Sequence, residues 1–386
     1  MLHRYMLGIL LTLLFGFGSA FAHEQHQQSK TINSKLLNEQ RTVTIQLPNS
    51  YFNNTAQKYP VIYRLDGKES IAIESAMLNK LHQSGSAPEV IIVAIENTDR
   101  TRDLTPTVNY DPRGPVGAGG GGDKFLDFIE KELIPYVNQS YRVHDFKVFS
   151  GASIGGLLVL HSFHSRPHLF QGHIAYSPAV WWADETTKKK VKQFVSSVSS
   201  YKNYLYMNIG SEHLSMRRVY DDLSTHVQKN KPSDLQLVLN TFNDVPHAMT
   251  SAAGVFNAYH TLFLPLVMPN EALENGVSSI KEYYQNVAFQ RGEQIQPQEW
   301  VLRELAYGLV DKQAFKTAIE IFKYNIALYP KNAEAYNGLA YGYEQAKQFS
   351  NALEQVNIAL QLANEGDSGL DVYKNRQARL KSLLQL

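Results

Sequence analysis

The chain has 386 residues, 44% of them apolar and 11% aromatic, which is typical of a folded protein with one sizeable domain and a smaller one. Its 37 Lys and Arg residues nearly balance its 36 Asp and Glu residues, so no net charge attracts nucleic acid, and nucleic-acid binding is not expected. The absence of cysteine excludes disulfides, thiol catalysis and thiolate metal sites.

Residues 1–22 have the pattern of a cleaved signal peptide. Arg4 precedes an apolar stretch that ends at Phe17, and AFA at positions 20–22 has the small-x-small form that signal peptidase cleaves. A membrane anchor is the alternative, but the stretch is shorter than the roughly 18 residues that a spanning helix needs. We therefore predict a periplasmic or secreted protein, free of the membrane after cleavage, that begins with HEQHQQSK as a mobile polar lead-in.

From about Thr42 to Leu264, short β-rich runs alternate with amphipathic stretches, which predicts an α/β fold with a parallel-type sheet covered by helices. Most of the runs are continuously apolar, as expected for strands that are buried on both faces. The predicted strands are TVTIQL, YPVIYRLD, EVIIVAIEN, KVFSGAS, HIAYSP, YLYMNIG and LQLVLNTF. Between them, KFLDFIEKELIPYV has apolar residues at helical spacing and is predicted to be a helix.

One long connection, ENTDRTRDLTPTVNYDPRGPVGAGGGGDKF, is rich in proline and glycine and has no periodicity. Loops of this length in compact domains are usually functional or disordered. We interpret it as a loop over a site. GAGGGG at 117–122 lacks the Lys-Ser/Thr of a phosphate-binding loop and is interpreted as flexible. Disorder of the glycine run is the alternative.

Beyond Pro269 the sequence predicts helices only, with an internal repeat at an offset of 34 residues. AYG at 306–308 recurs at 340–342, and Phe315 recurs as Phe349. This offset matches the tetratricopeptide repeat, and LDVYKNRQARLKSLL is predicted to cap the array. Because two repeats are few for an independent solenoid, we favour packing or a homodimer over capture of a protein partner.

The strand candidate KVFSGAS contains Gly-x-Ser-x-Gly and leads directly into the helix-like run GLLVLHSF. In a nucleophile elbow, a sharp turn holds the serine in strained dihedral angles, and the glycines leave room for neighbouring backbones. An ordinary tight turn is the alternative for so short a motif. The strand before the motif and the helix after it favour Ser153 as a catalytic nucleophile.

A nucleophilic serine needs a base, and in this fold the partners follow in the order serine, acid, histidine. His247 lies in the loop after the last predicted strand and is our candidate base. Glu212, after the preceding strand, is the candidate acid, with Asp244 as the alternative and a Ser-His pair without an acid also possible. The oxyanion donors are expected at the backbone N–H of Ile154 and in the loop around Gly67.

Taken together, several motifs resemble the putative-esterase family of α/β-hydrolases. They are YPVIYRLDG, ENTDRTRDLTP, GGGGDKFLDFIEKELIPYV, GASIGG, SPAVWW and the late histidine, and they cover roughly residues 30–265. The family includes S-formylglutathione hydrolases, mycolyl transferases, feruloyl esterases and the periplasmic trilactone esterases of siderophore metabolism. SPAVWW and the Asp-Arg-x-Arg-Asp loop resemble the siderophore-esterase branch.

The resemblance implies an α/β-hydrolase esterase domain over residues 30–268, followed by the tetratricopeptide-like region at 275–386. It also implies that Ser153 and His247 are the catalytic pair and that Gly67 and Ile154 form the oxyanion hole. Some members of the siderophore branch use a Ser-His dyad, which keeps the role of Glu212 open. The helical tail departs from the minimal siderophore esterases and leaves the substrate open.

Three further side chains are candidates for substrate binding. Arg100 presents a planar fork of donors suited to an anionic or catecholate group, and pairing with Asp99 or Asp103 in the same loop is an equal alternative. For Arg102 such pairing is favoured. Trp181 and Trp182 follow a strand at the edge where ligands of open α/β sheets bind. Adjacent tryptophans in an extended segment point in different directions, so one is expected to line a pocket and the other to be core.

The sequence therefore predicts a secreted or periplasmic serine ester hydrolase that acts on a small-molecule ester. An acyltransferase of the same fold is an alternative, because it differs only in what attacks the acyl-enzyme. A binding protein with a vestigial centre, which holds a partner through its repeats, is another. No metal or cofactor is implied, because no metal-ligand spacing or dinucleotide fingerprint is present.

Overall fold

The computed structural model describes residues 26–52, 57–84, 86–112, 114–264, 275–291 and 295–385. The predicted signal peptide at residues 1–22 lies outside the described residues. The chain divides into two compact units, Met1–Leu264 and Pro265–Leu386.

The first unit is built on one eight-stranded sheet with the spatial order β1-β2-β4-β3-β5-β6-β7-β8. β2 pairs antiparallel with β1 and β4, and all other neighbours are parallel, which requires helical crossovers between them. The strands are β1 Gln27–Ser34, β2 Glu39–Gln46, β3 Tyr59–Leu65, β4 Ile91–Ile95, β5 Val143–Ala152, β6 Gly172–Tyr176, β7 Asn203–Ile209 and β8 Leu235–Thr241. Each of the seven predicted runs forms a strand, and the predicted α/β class is confirmed.

The edge strand β1 was not expected. The part of the predicted lead-in that the structure describes is not mobile, because QQSKTINS, which starts at Gln27, pairs along its whole length with β2. An edge strand bonds on one side only, and all but one of the β1 side chains are at least partly exposed, so its polar sequence carries no apolar pattern.

Helices cover both faces of the sheet. α1 packs against α8, whereas α5 packs against α2 and α6. The helices of this unit are α1 Gly67–Gln83, α2 Arg100–Leu104, α3 Gly122–Phe128, α4 Ile134–Ser140, α5 Ile154–Ser165, α6 Trp182–Ser197, α7 Leu214–Asn230 and α8 Thr250–Phe263. The predicted helix KFLDFIEKELIPYV corresponds to α3 and α4 joined by a π-helical turn, Ile129–Leu133, just before Pro135. A wider turn suits a proline, whose missing N–H and bulky ring disrupt the α-helical bond to the preceding turn.

The two faces of the sheet differ in polarity. Alternate residues of β3 and β5, such as Tyr63 and Phe149, join a large apolar cluster with α5. The intervening residues Arg64 and Ser150 are also buried but polar, and they hydrogen-bond to each other at 2.9 Å. The second face therefore buries polar groups beside apolar residues such as Ile62 and Val148.

The glycine run at 117–122 is part of the folded structure, which corrects its interpretation as a flexible loop. The amides of Gly120 and Gly122 donate to Thr105 O at 3.1 and 3.0 Å, and the amide of Gly121 donates to Arg102 O at 3.0 Å. Side chains larger than hydrogen would not fit between these backbones. The small residues serve close packing rather than mobility.

The second unit is all helical. Its helices are α9 Gly276–Arg291, α10 Glu299–Asp311, α11 Phe315–Leu328, α12 Ala333–Gln345, α13 Phe349–Leu362 and α14 Leu370–Leu383. α10 and α12 begin 34 residues apart, as do α11 and α13. The all-helical extension is confirmed, whereas its assignment to the tetratricopeptide class stays a prediction. Within the described ranges, no helix is both long and apolar enough to cross a membrane.

A buried histidine predicts a pH-dependent stability for the first unit. His173 lies on β6 with Nδ1 2.8 Å from Asn203 Oδ1, and burial lowers the pKa of His173 to about 4 from its usual 6.5. Between these values the unfolded chain binds more protons, so the free energy of unfolding should fall by about 3 kcal/mol as the pH drops from 6.5 to 4. Denaturant unfolding of His173→Gln should show a shallower decrease, and exposed His168→Gln should behave as wild type. Equal slopes for all three proteins would contradict this assignment.

Candidate active site

The strand-to-helix turn at Ser153 has the geometry of a nucleophile elbow. Ser153 has φ 57° and ψ −119°, a left-handed region that non-glycine residues rarely adopt. Its amide donates to Tyr176 O at 3.0 Å, and its carbonyl accepts from the amides of Leu157 and Ala179 at 2.9 and 3.0 Å. These bonds connect the turn to α5 and to the segment after β6, and they hold the serine in its strained conformation.

The glycine two residues before the serine is required by a close approach. A Cβ atom on Gly151 would lie 2.6 Å from the backbone carbon of Gly155, well inside van der Waals contact. The chain therefore folds back on itself across the turn so tightly that only hydrogen fits. This explains the small residues that surround the hydroxyl in the sequence.

The predicted base and acid lie together. His247 follows β8 at the start of a short 3₁₀ turn before α8, and its Nδ1 is 3.2 Å from Glu212 Oε1. The Glu212 side chain is 2% exposed, whereas Asp244 is exposed. The loop of Glu212 is tied to that of His247 by the amide of Ser211, which donates to Val245 O at 2.8 Å. Glu212, rather than Asp244, therefore occupies the position beside the imidazole.

A second serine supports the acid and was missed by sequence reasoning. The hydroxyl of Ser177 donates to Glu212 Oε1, the same oxygen that faces His247. Ser177 has φ 38° just after β6, and its amide donates to the buried Asn208 at Oδ1, 3.0 Å away. The sequence signal that could have identified Ser177 is its position in SPAVWW, at the carboxyl end of a predicted strand.

The turn after β3 is the loop in which an oxyanion donor was predicted. Asp66 adopts a left-handed conformation with φ 54°, and α1 begins at Gly67. A Cβ atom on Gly67 would lie 2.4 to 2.6 Å from Ala94 of β4, so this position also accepts only glycine. The same turn approaches the elbow, because a Cβ on Gly155 would be 3.3 Å from Asp66 Oδ2.

Arg100 holds this turn through Asp66. Its Nε and Nη2 donate to the two carboxylate oxygens of Asp66 at 2.7 and 2.8 Å, and Asn97 Nδ2 donates to Oδ1 at 2.6 Å. Burial raises the pKa of Asp66, but the bonds and charge of Arg100 outweigh it and leave the pKa below its usual range. Arg100 therefore pairs with Asp66 rather than with Asp99 or Asp103. Most of the N–H donors of its guanidinium are engaged in this pairing.

These groups surround one cavity of about 440 Å³ between α1 and α8. Ser153 and His247 lie on its wall, and Ile73, Met249 and Val255 contribute an apolar side. Its polar lining is Arg64, Asp66, Glu69, Ser70, Glu74, Asn97, Arg100, Ser153, Tyr176, His247 and Ser251. A cavity of this volume suits a small organic ligand.

The other predicted binding residues lie elsewhere. Arg102 pairs with Asp103 and Glu39, each at 2.7 Å, as expected for a structural arginine. Trp182 is buried and donates from Nε1 to Thr107 O at 2.8 Å. Trp181 packs on the same core beside Gly114. Neither tryptophan lines the cavity at Ser153; both hold the long loop against the sheet.

A family model described as "Putative esterase" matches residues 34–234, just over half of the chain. The chain belongs to the putative-esterase family. The resemblance inferred from the motifs is thereby confirmed, together with the α/β-hydrolase fold.

Individual relatives agree with this membership. The chain is 32% identical over 193 residues to a "Siderophore triacetylfusarinine C esterase" of Aspergillus fumigatus, covering 46% of this chain and 65% of that protein. It is 32% identical over 179 residues to "Ferri-bacillibactin esterase BesA" of Bacillus subtilis, covering 41% of this chain and 61% of that one. The chain therefore spans less than two thirds of either relative.

A solved structure matches more of the chain. The "IroE-like serine hydrolase" of Shewanella oneidensis is 25% identical, with a TM-score of 0.67, and the match covers 78% of this chain and 99% of that one. The first unit holds only about two thirds of the residues, so this similarity extends into the helical unit.

The arrangement has the parts of nucleophilic acyl transfer: a strained serine, a histidine backed by a buried carboxylate, and two backbone turns at one cavity. Within the described ranges, no group of three or more His, Cys, Asp or Glu residues is placed to hold a metal ion.

The close approach at Gly151 predicts a sensitive position. In Gly151→Ala the added methyl group must push the elbow open, and a misplacement of about 1 Å should slow labelling of Ser153 by a fluorophosphonate about 100-fold. Gly308→Ala is the matched control, because a Cβ there meets no atom within 4 Å. A Gly151→Ala protein that is labelled at the wild-type rate would contradict the steric argument.

Proposed function

We propose that this chain is a serine carboxylic ester hydrolase that acts through an acyl-enzyme on Ser153. One observation carries the proposal: a serine at a positive φ shares a cavity with His247, whose Nδ1 lies 3.2 Å from the buried Glu212. A serine held in this way with no chemical role would be an unexplained strain of about 1–3 kcal/mol.

In the proposed first step, His247 Nε2 takes the proton of Ser153 Oγ, which attacks the ester carbonyl carbon. The bond from carbon to the leaving oxygen then breaks, and the imidazolium returns its proton to that oxygen as the alcohol leaves. Glu212 accepts the Nδ1 proton in a hydrogen bond and stabilises the imidazolium. Water, activated by the same imidazole, then attacks the acyl-enzyme and releases the acid.

In both steps the carbonyl oxygen of the substrate becomes negatively charged, and hydrogen-bond donors are needed to stabilise it. The proposed donors are the backbone amides of Ile154, at the start of α5, and Gly67, at the start of α1. The two hydrogen bonds from Arg100 to the Asp66 carboxylate support this role, because they fix the residue that precedes Gly67. In this proposal Arg100 acts mainly by orienting the oxyanion loop.

We further propose that the substrate is a siderophore-type ester and that the protein works in the periplasm or outside the cell. The named activities of the two curated relatives support the substrate class, and the predicted signal at residues 1–22 supports export. The cavity has room for one ester arm of a larger ligand.

Three substitutions test the residues. Ser153→Ala and His247→Ala should each lower kcat/KM for ester hydrolysis by about 10³-fold or more, because each removes a group that takes part in bond making. Glu212→Gln should lower it less, because it removes the carboxylate charge but not the base. Steady-state rates on p-nitrophenyl esters provide the measurement. Wild-type rates in Ser153→Ala would refute the mechanism.

A substrate comparison tests the class. Wild type and Ser153→Ala are given a catecholate trilactone and short- and long-chain p-nitrophenyl esters, and products are followed by chromatography. We expect Ser153-dependent cleavage with a higher kcat/KM for the trilactone. Cleavage of simple esters alone would indicate a general carboxylesterase. No cleavage together with no fluorophosphonate labelling would instead favour a vestigial centre.

A further inference from the structure

A buried charged cluster forms part of the cavity wall, and the proposed mechanism makes no use of it. At its centre is Arg64, which is 2% exposed near the carboxyl end of β3, YPVIYRL, whose other residues are apolar or aromatic. Glu74 of α1 is equally buried, with Oε2 3.5 Å from Arg64 Nε. Burying an ion pair usually contributes no more stability than an apolar pair of similar volume, so stability alone does not explain these residues.

The contacts of the cluster reach three separate segments. Arg64 Nη1 donates to Ser150 Oγ on β5 at 2.9 Å, and Arg64 Nη2 donates to Ser70 Oγ on α1 at 2.9 Å. The hydroxyl of Tyr259 on α8 donates to Glu74 Oε1. All of these groups except Ser70 are almost completely buried.

Each of these segments carries one part of the candidate site. Ser150 lies on β5, three residues before Ser153, and Ser70 is in the first turn of α1, which begins at Gly67. Tyr259 is on the helix that follows the turn of His247. The planar guanidinium can bond to several acceptors in fixed directions, which suits it to join these elements.

We propose that Arg64, Glu74 and Tyr259 form a positioning cluster. The cluster fixes the positions of the nucleophile, the oxyanion turn and the base relative to one another. The inference rests on the proposed function. Tyr259 does not line the cavity and acts through its neighbours, so it is a positioning residue rather than a catalytic one.

Burial is consistent with a fixed, strongly coupled cluster. Burial raises the pKa of Glu74, and the charge of Arg64 opposes this shift. Loss of the Tyr259 hydroxyl would leave the almost completely buried Glu74 side chain with one donor fewer, which favours a rearrangement of α1 against α8.

The chain offers a matched control for Tyr259→Phe. Tyr204 on β7 is also buried, and its hydroxyl also anchors α8, with oxygens of Ala258 and Thr261 each 2.7 Å away. No contact of the Tyr204 hydroxyl leads to Arg64 or Glu74 within the described residues. Tyr204→Phe therefore removes a comparable bond to the same helix without touching the cluster.

The test measures kcat, KM, fluorophosphonate labelling of Ser153 and thermal melting for wild type, Tyr259→Phe and Tyr204→Phe. Both variants should melt a few degrees below wild type. Tyr259→Phe should lower kcat and the labelling rate about tenfold with KM within about twofold, whereas Tyr204→Phe should keep both rates. Ser150→Ala, which removes the β5 contact, should also slow labelling.

Two outcomes would overturn the proposal. One is an unchanged labelling rate and kcat in Tyr259→Phe. The other is an equal loss of rate in both tyrosine variants, in proportion to their loss of stability, which would indicate general packing. A wild type that neither takes the label nor cleaves any ester would refute the proposed function itself, and the cluster would then have no reaction to position.

Discussion

The candidate site depends on one backbone constraint, the left-handed turn at Ser153. A non-glycine residue in this region raises the energy of the folded chain by about 1–3 kcal/mol, so the turn persists only because its surroundings hold it. The backbone bonds to Tyr176, Leu157 and Ala179 do so, and the packing of Gly151 on Gly155 leaves the chain no alternative path. As a result, the hydroxyl stands clear of both the strand and the helix.

Parallel strand order explains why residues far apart in sequence meet at this turn. β3, β5, β6, β7 and β8 all end at the same edge, so the loops that follow them lie side by side. These loops carry Asp66, Ser153, Ser177, Glu212 and His247 in that order. The bond from Ser211 to Val245 then fixes the distance between acid and base. The sheet supplies proximity, and the loop contacts supply orientation.

Much of this was predictable because the relevant signals are local. Buried parallel strands are continuous apolar runs, and the elbow, His247 and Glu212 occupy positions that the strand order assigns to a nucleophile, base and acid. The strand β1 was missed because a polar edge strand resembles a polar tail. The packed glycine run was misread because glycine permits both mobility and close approach, and only the neighbouring backbone decides between them.

The cluster around Arg64 could not be predicted for a different reason. Its members, Arg64, Ser70, Glu74, Ser150 and Tyr259, are spread over nearly 200 positions. Arg64 lies within YPVIYRLDG, but that motif does not indicate its partners, and a single arginine in an apolar strand reads as an exception. The burial of Arg64 and the identity of its hydrogen-bond partners are defined only when β3, α1, β5 and α8 pack together.

The polar strand β1 also protects the solubility of the folded chain. It covers the outer backbone groups of β2, whose own side chains are largely buried, and presents Lys30 and other polar side chains at the border of the sheet. Such a border discourages edge-to-edge association between molecules. A chain shortened past Ser34 would expose the unpaired amides and carbonyls of β2 and become prone to aggregate, although it would keep every residue of the cavity.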